Sequence, residues 1–386
     1  MKNGFRVMDS DLHTMEPDDL WERYLAEPFK TFAPSFARSA EGSPNQPTIR
    51  IVDLTIGEFT KRSTTARAGA DLYRRTIAKH PHNEVAIARG YDAESHLMAM
   101  DIEGIDVAIL YGTRGRQVQM HDDLDPALAG ALARAHNNWT YDYCQANPKR
   151  LKFAAQVSFH DVNLAVEEAR RAVRELAAVA VIGNPNPVNG RHIHDPYFEP
   201  LWAAIEELGV PVGFHPTGIS SLRDDIARRF LDHPNGRVIG GAARNPMELM
   251  LAFGSLAAGG VLERHPGLRC AFLEGTCGWL PWWLWRLDEL WEKFGPGSDI
   301  KISALASEYF FRQCFVATDA DEKVLRQVVE AVGDDAIVVS TDYPHSDGLF
   351  PDAINEFVRL EGVSDKTKAK ILWDNCARLY PLAAGR

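Results

Sequence analysis

Six side chains able to hold a metal or move a proton lie in four short stretches of this chain. They are Asp11 and His13 in "DSDLHTMEP", His215 in "GFHPTG", Glu274 in "FLEGTCGW", and Asp342 and His345 in "STDYPHSDG". Each stretch follows or closes an apolar, β-rich run. Asp11 and His13 are two residues apart, and on an extended chain positions i and i+2 point the same way. Imidazole mixed with carboxylate suits Zn²⁺, Mn²⁺ or Fe²⁺ rather than Ca²⁺ or Mg²⁺, which favour shells of oxygen alone. Such an ion polarises a substrate oxygen or lowers the pKa of a bound water, while Asp342 or Glu274 moves the proton.

These residues act together only if a fold brings them to one place. From about residue 100, short β-rich runs alternate with amphipathic stretches, the pattern of repeated βα units around a parallel sheet. The expected strands are 5–11, 107–110, 152–158, 178–183, 210–215, 269–274, 313–318 and 336–341, with helices at 164–176, 197–209 and 246–260 among those between them. An open doubly wound sheet would place a glycine-rich phosphate loop after its first strand, and "FRVMDSDLHTMEP" has none. The expectation is an α/β fold, a (β/α)8 TIM barrel spanning 1–386 as a single domain. Residues 28–95 break the rhythm and are read as an insertion after the first strand, a lid that includes a hairpin in "TIRIVDLTIGEFT". In such barrels the active site forms at the carboxyl ends of the strands. Four of the eight expected strands end in the residues above.

Composition narrows the partners. Fifty-three acidic residues against 42 basic ones give a net charge of −11, which repels phosphate backbones and anionic lipid. No nucleic acid and no membrane partner is expected; a small-molecule substrate is. Cys144, Cys270, Cys277, Cys314 and Cys376 form no CxxC pair, so reduced thiols and a cytoplasmic setting are expected. "MKNGFRVMDSDLH" contains no apolar signal region.

The motifs above, with "HPGLRCAFLEGTCGWLPWWLWRLDE" and the closing "AKILWDNCARLYPL", resemble the amidohydrolase-related branch of the amidohydrolase superfamily. That branch contains aminocarboxymuconate-semialdehyde decarboxylase and the resorcylate-type decarboxylases. The resemblance runs from residue 5 to 382 and implies a barrel, a divalent metal and a homodimer. Position by position it makes Asp11, His13, His215 and Asp342 metal ligands, with Asp342 also accepting a proton. Glu274 departs from it, because many of the decarboxylases carry a catalytic His there. A carboxylate does not replace an imidazole as a proton donor near neutral pH unless burial raises its pKa, which tilts the reading from decarboxylation toward hydrolysis.

Glu274 is counted as both ligand and catalytic group, and His345 as catalytic. The ligand supply exceeds what one ion needs: His345, with His192 and His194 in "GRHIHD", could serve a second. The reading is therefore a metal-dependent hydrolase or non-oxidative decarboxylase acting on a small carboxylated cyclic or aromatic compound, with a divalent transition metal (Zn, Mn or Fe), one per chain or two; a dinuclear iron or iron/manganese oxygenase on the same barrel is the alternative and a non-catalytic partner subunit the second. For His192 and His194 a solvated loop is the blander reading. Arg244 and Arg114 are candidates for a substrate carboxylate, and Asn137 or Asn138 for hydrogen-bonding behind the site. "GWLPWWLWRLDELW" carries five tryptophans, too many for one core stripe, so part of that helix is expected to meet the lid or another subunit.

Overall fold

A computed structural model of the chain describes residues 1–37, 48–51, 54–56, 80–217, 222–230, 233–345 and 348–385. In chain order its strands are β1 (Met8–Thr14), β2 (Ser35–Ala37), β3 (Thr48–Ile51), β4 (Leu54–Ile56), β5 (Val107–Gly112), β6 (Leu151–Ala155), β7 (Ala180–Gly183), β8 (Val212–Phe214), β9 (Cys270–Phe272), β10 (Cys314–Asp319) and β11 (Ile337–Ser340). Eight of them form one parallel sheet in the order β1, β5, β6, β7, β8, β9, β10, β11. Side chains draw its two edges together. Ser10 Oγ donates to the Val339 carbonyl (2.6 Å), and Thr341 donates to the Asp9 carboxylate from N (3.2 Å) and Oγ1 (2.6 Å). The result is a nearly closed (β/α)8 barrel, and each of the eight expected strands is one of its staves.

Alternation along each strand divides the apolar residues between two cores. Ile109, Tyr111, Ala154, Ile182, Ala271, Ala317 and Val338 face inward as one cluster. Their neighbours Ala108, Leu110, Phe153, Val181, Phe272 and Val316 pack outward against helical residues such as Ala169, Trp202 and Phe253. The helix Val162–Leu176 begins where Asp161 accepts from the Asn163 and Leu164 amides, an N-cap that replaces missing intrahelical acceptors. The helix expected at 246–260 instead runs Gly236–Ala258, with Pro246 inside it. That earlier start carries Asn245 to the barrel mouth on a helix rather than a loop.

The hairpin exists as the antiparallel pair β3 and β4, with β2 on its other side. Much of the expected 28–95 insertion, residues 38–47, 52–53 and 57–79, lies outside the described residues. Among the described residues no helix is long and apolar enough to cross a membrane. All five cysteines are buried free thiols.

The barrel floor is closed from the C-terminus. Tyr380 Oη donates to the Ser10 carbonyl (3.2 Å) and lies 3.2 Å from Tyr111 Oη. Tyr111 crosses the interior only because position 213 is glycine: a Cβ there would collide with Tyr111 Oη. Gly213→Ala is expected to cost about 1–3 kcal/mol, the usual range for overpacking, measured by denaturant unfolding, and Tyr111→Phe in the same chain should recover part of it.

Candidate metal centre at the barrel mouth

The pairing of β1 with β5 slips between Asp9 and Leu12. Asp9 is thereby committed to Thr341 on the barrel seam, while Asp11 and His13 both reach the mouth. The His13 amide donates to the Tyr343 carbonyl (2.8 Å), tying the end of β1 to the segment after β11. Glu274 follows β9 with φ of 53°. Strict alternation after inward Leu273 would send it outward; the left-handed turn returns it to the mouth, a conformation rare enough in non-glycine residues to suggest function. Asp342 has φ of 56°.

Five expected residues converge there with His345. His13 Nε2 lies 3.1 Å from His215 Nε2, 3.5 Å from Asp11 Oδ1, 3.7 Å from Glu274 Oε2 and 3.2 Å from Asp342 Oδ1. His215 Nε2 is 3.3 Å from Asp11 Oδ1 and 2.9 Å from Glu274 Oε2. Two overlapping sets could hold an ion: Asp11, His13, His215 and Glu274, and His13, Glu274, Asp342 and His345. Asp11, His13 and His215 are fully buried, and neither Asp11 oxygen has a hydrogen-bond partner among the described residues. A buried carboxylate left bare is costly. A cation among these atoms removes the cost.

The other ring nitrogens are already engaged. His215 Nδ1 lies 2.6 Å from the Pro216 carbonyl, which can only accept, so Nδ1 carries a hydrogen and Nε2 is the ring atom turned inward. Thr113 Oγ1 sits 3.3 Å from His13 Nδ1 and 3.1 Å from His345 Nε2, and His345 Nδ1 lies 2.8 Å from Asp342 Oδ1. One assignment satisfies this chain: His13 Nδ1–H donates to Thr113, Thr113 to His345 Nε2, and His345 Nδ1–H to Asp342. Thr113 is held in turn by buried Glu16, which accepts from the Thr113 amide (3.0 Å), the Arg114 amide (2.7 Å) and His136 Nε2 (3.0 Å). Sequence reasoning missed Thr113, Glu16 and His136. Thr113 was the accessible one, because it directly follows β5 and so stands at a strand end.

The remaining candidates lie elsewhere or act indirectly. His192 and His194 stack on each other at 5.5 Å, with His194 Nδ1 2.5 Å from Ser255 Oγ, and neither belongs to the two ligand sets. Arg244 donates to Asn245 Oδ1 (3.2 Å), and Asn245 Nδ2 donates to Glu274 Oε1 (3.2 Å), so the arginine meets the site through its neighbour. Arg114 donates to the Glu16 carbonyl and to Asp18 (both 3.1 Å). Asn137 brackets the Gln156 backbone (both 2.8 Å), while Asn138 accepts from Arg171. A cavity of about 280 Å³ opens beside Glu274 and Asp342, lined also by Asn245, Thr276, Asp319 and Thr341.

A family model described as Amidohydrolase matches residues 80–382. The chain belongs to the amidohydrolase family. A γ-resorcylate decarboxylase of Rhodococcus jostii is 28% identical over 301 residues, covering 74% of this chain and 86% of that protein. The crystal structure of an amidohydrolase from Mycobacterium avium subsp. paratuberculosis superposes with a TM-score of 0.74 at 22% identity, covering 98% of this chain and 99% of that one. The 5-carboxyvanillate decarboxylase of Novosphingobium aromaticivorans, complexed with manganese and 4-hydroxy-3-methoxy-5-nitrobenzoic acid, does so at 0.67 and 20% identity, covering 98% and 97%. These two structural matches are likenesses of fold.

The charge balance of this family member's site is set by its own groups. Burial and the Arg116 cation both push His215 toward losing its proton, yet the carboxylates of Asp11 and Glu274 outweigh them and hold it at about 9. Burial would raise Glu274, but His215 and His13 bring it down to about 2 against the repulsion of Asp342. Glu274 is therefore an anion at neutral pH, suited to hold a cation rather than to donate a proton. His13 is driven well below its ordinary value, by burial first and then by His345.

A cation can take His215 Nε2 only after that nitrogen gives up its proton, whereas His13 is already neutral. Metal uptake by the apoprotein should then release about one proton, and apparent affinity should rise about tenfold per pH unit toward the His215 value of about 9 and level above it. Titrations at a series of pH values on both sides of about 9, with proton release read from calorimetry in buffers of different ionisation enthalpy, check both.

Proposed function

We propose that this protein is a metal-dependent decarboxylase that removes CO2, without oxidation, from a small carboxylated aromatic compound. The observation that carries the reading is the bare, buried Asp11 carboxylate facing two imidazole Nε2 atoms, on a chain 28% identical to a γ-resorcylate decarboxylase. Asp11, His13, His215, Glu274 and Asp342 would hold the ion. When bound, a divalent cation supplies Lewis acidity toward a substrate oxygen.

The rest is work for the chain's own groups. Asp342 takes up a proton from solvent through His345 and gives it to the ring carbon that bears the carboxylate; as that C–H bond forms, the bond to the carboxylate breaks, CO2 leaves and the electron pair returns to the ring. His345, 2.8 Å from Asp342 and anchored through Thr113, orients the carboxylate and relays the next proton. One ion per chain is favoured because His13 has a single lone pair to give, its Nδ1 being engaged with Thr113. Nothing in the relatives supports the oxygenase alternative. Hydrolysis is the second reading, favoured by Glu274 standing where many decarboxylases carry a histidine. The buried thiols fit a reducing, cytoplasmic setting.

Incubation of the manganese-loaded protein with 2,6-dihydroxybenzoate or 5-carboxyvanillate should release CO2. Asp342→Asn should lower kcat by about 100- to 10,000-fold, the span of general acid catalysis, and His215→Ala should strip the metal. Full metal occupancy in His215→Ala would sink the site assignment, and product formation from an ester or lactone without CO2 would move the protein to the hydrolases.

We also infer a homodimer built on the helix Leu280–Phe294. Trp282 is 55%, Trp285 57% and Phe294 72% exposed, a density of apolar surface that marks an interaction face. Replacing both tryptophans by glutamate should convert a dimer to a monomer in light scattering while leaving the far-ultraviolet circular dichroism unchanged.

A further inference from the structure

The neighbouring staves β9, β10 and β11 bring Glu274, Asp319 and Asp342 to the mouth, and the middle acid has no part in the metal centre. Phe315 and Ala317 face the barrel interior, so alternation turns Asp319, the last residue of β10, into the mouth between the other two. It lines the cavity of about 280 Å³ together with them and with exposed Asp321. Neither set of candidate metal ligands includes it. The cavity lies at the small end of ligand pockets (about 300–1,000 Å³), which suits a compound of one ring.

Asp319 also lacks a cation. Its carbonyl accepts from Thr318 Oγ1 and from the Glu322 amide (both 3.2 Å), but its carboxylate has no hydrogen-bond or ion-pair partner among the described residues. Glu322, three residues on, is the contrast: it accepts from the Cys277 amide (3.0 Å), the Gly278 amide (2.8 Å) and Thr318 Oγ1 (2.9 Å), and so holds the turn after Glu274. Among the described residues that line the cavity there is no lysine, arginine or histidine. Arg116, the buried cation near the metal centre, donates to the His215 carbonyl (3.1 Å). Burial first, and then Glu322, Asp342, Glu274 and Asp321, hold the Asp319 carboxyl up at about 8, as expected of an acid surrounded by acids. A divalent ion held by Asp11, Glu274 and Asp342 would bring two positive charges to three carboxylates and leave none over for Asp319.

A substrate that is only an anion does not supply the missing charge, and a second carboxylate or a phosphate on its ring would be repelled. A hydroxyl would donate a hydrogen to Asp319 but bring no charge. An ammonium group brings both, and a hydrogen bond between ionised partners is the stronger one. We propose that Asp319 is a specificity-determining residue that pairs with a protonated nitrogen on the substrate, so that the substrate is an aromatic carboxylate carrying a basic amine, its carboxylate toward the metal and its ammonium on β10. The proposal rests on the decarboxylase reading and narrows its substrate class.

The test is calorimetric titration of the manganese-loaded protein with 3- and 4-(aminomethyl)benzoate and with the matching methylbenzoates, which have nearly the same shape and no cation. An aminomethyl compound should bind about tenfold or more tighter than its methyl counterpart, the contribution of a hydrogen bond to a charged group, and the preference should shrink as salt is added. In Asp319→Asn the ratio should fall to about one, with manganese content and circular dichroism retained. Asp319→Ala is a second variant should the first fail to fold. Equal binding of the two compounds by the wild type, or a ratio that survives in both variants, overturns the proposal; CO2 release from a benzoate in that case leaves the decarboxylase reading standing alone. Loss of manganese in Asp319→Asn makes the residue a metal ligand and overturns the proposal too. If manganese binds but none of the benzoates does, the decarboxylase reading itself falls, and the role of Asp319 with it.

Discussion

The structure turns on a buried carboxylate whose oxygens make no hydrogen bond among the described residues. Asp11 lies fully out of solvent, both oxygens bare, between two imidazoles whose Nε2 atoms stand 3.1 Å apart. Two neutral imidazoles cannot both present lone pairs at that distance without a cation or a proton between them. In the metal-free protein the proton on His215, paired with Glu274, answers part of this charge. A divalent ion would answer all of it, which is why proton and metal compete for one place.

That arrangement depends on supports set well behind it. Thr113 orients His13 and His345 together, Glu16 holds Thr113, and His136 holds Glu16. The slipped pairing in β1 separates Asp9, which seams the barrel, from Asp11, which serves the mouth. Stability and function are thus divided between two aspartates two residues apart. Metal-site ligands need such outer partners to fix tautomer and direction, and here those partners come from the turn just after β5, from the loop after β1 and from the helix Pro126–Cys144.

Much of the architecture was legible without coordinates. Eight apolar runs separated by amphipathic stretches map onto the eight staves, because strand burial on both faces writes itself as continuous apolar sequence. Strand-end position singles out Glu274 in the sequence, but only the left-handed turn at φ of 53° brings it inward, and there the two histidines hold it ionised. Arg116 went unnoticed because one arginine in "YGTRGRQ" looks like another; burial separates it from Arg114, which binds Glu16 and Asp18.

What the sequence determined by itself was the set of strands, their parallel barrel and the residue types at their ends, because periodicity and strand-end position are local properties of the chain. What the tertiary structure alone decided was partnership: which nitrogen of each histidine is engaged, which aspartate is left bare, and which acid at the mouth stands without a cation. Those are relations between residues as much as 332 positions apart, as between Asp9 and Thr341. They depend on distances of a few ångströms that no spacing along one chain encodes.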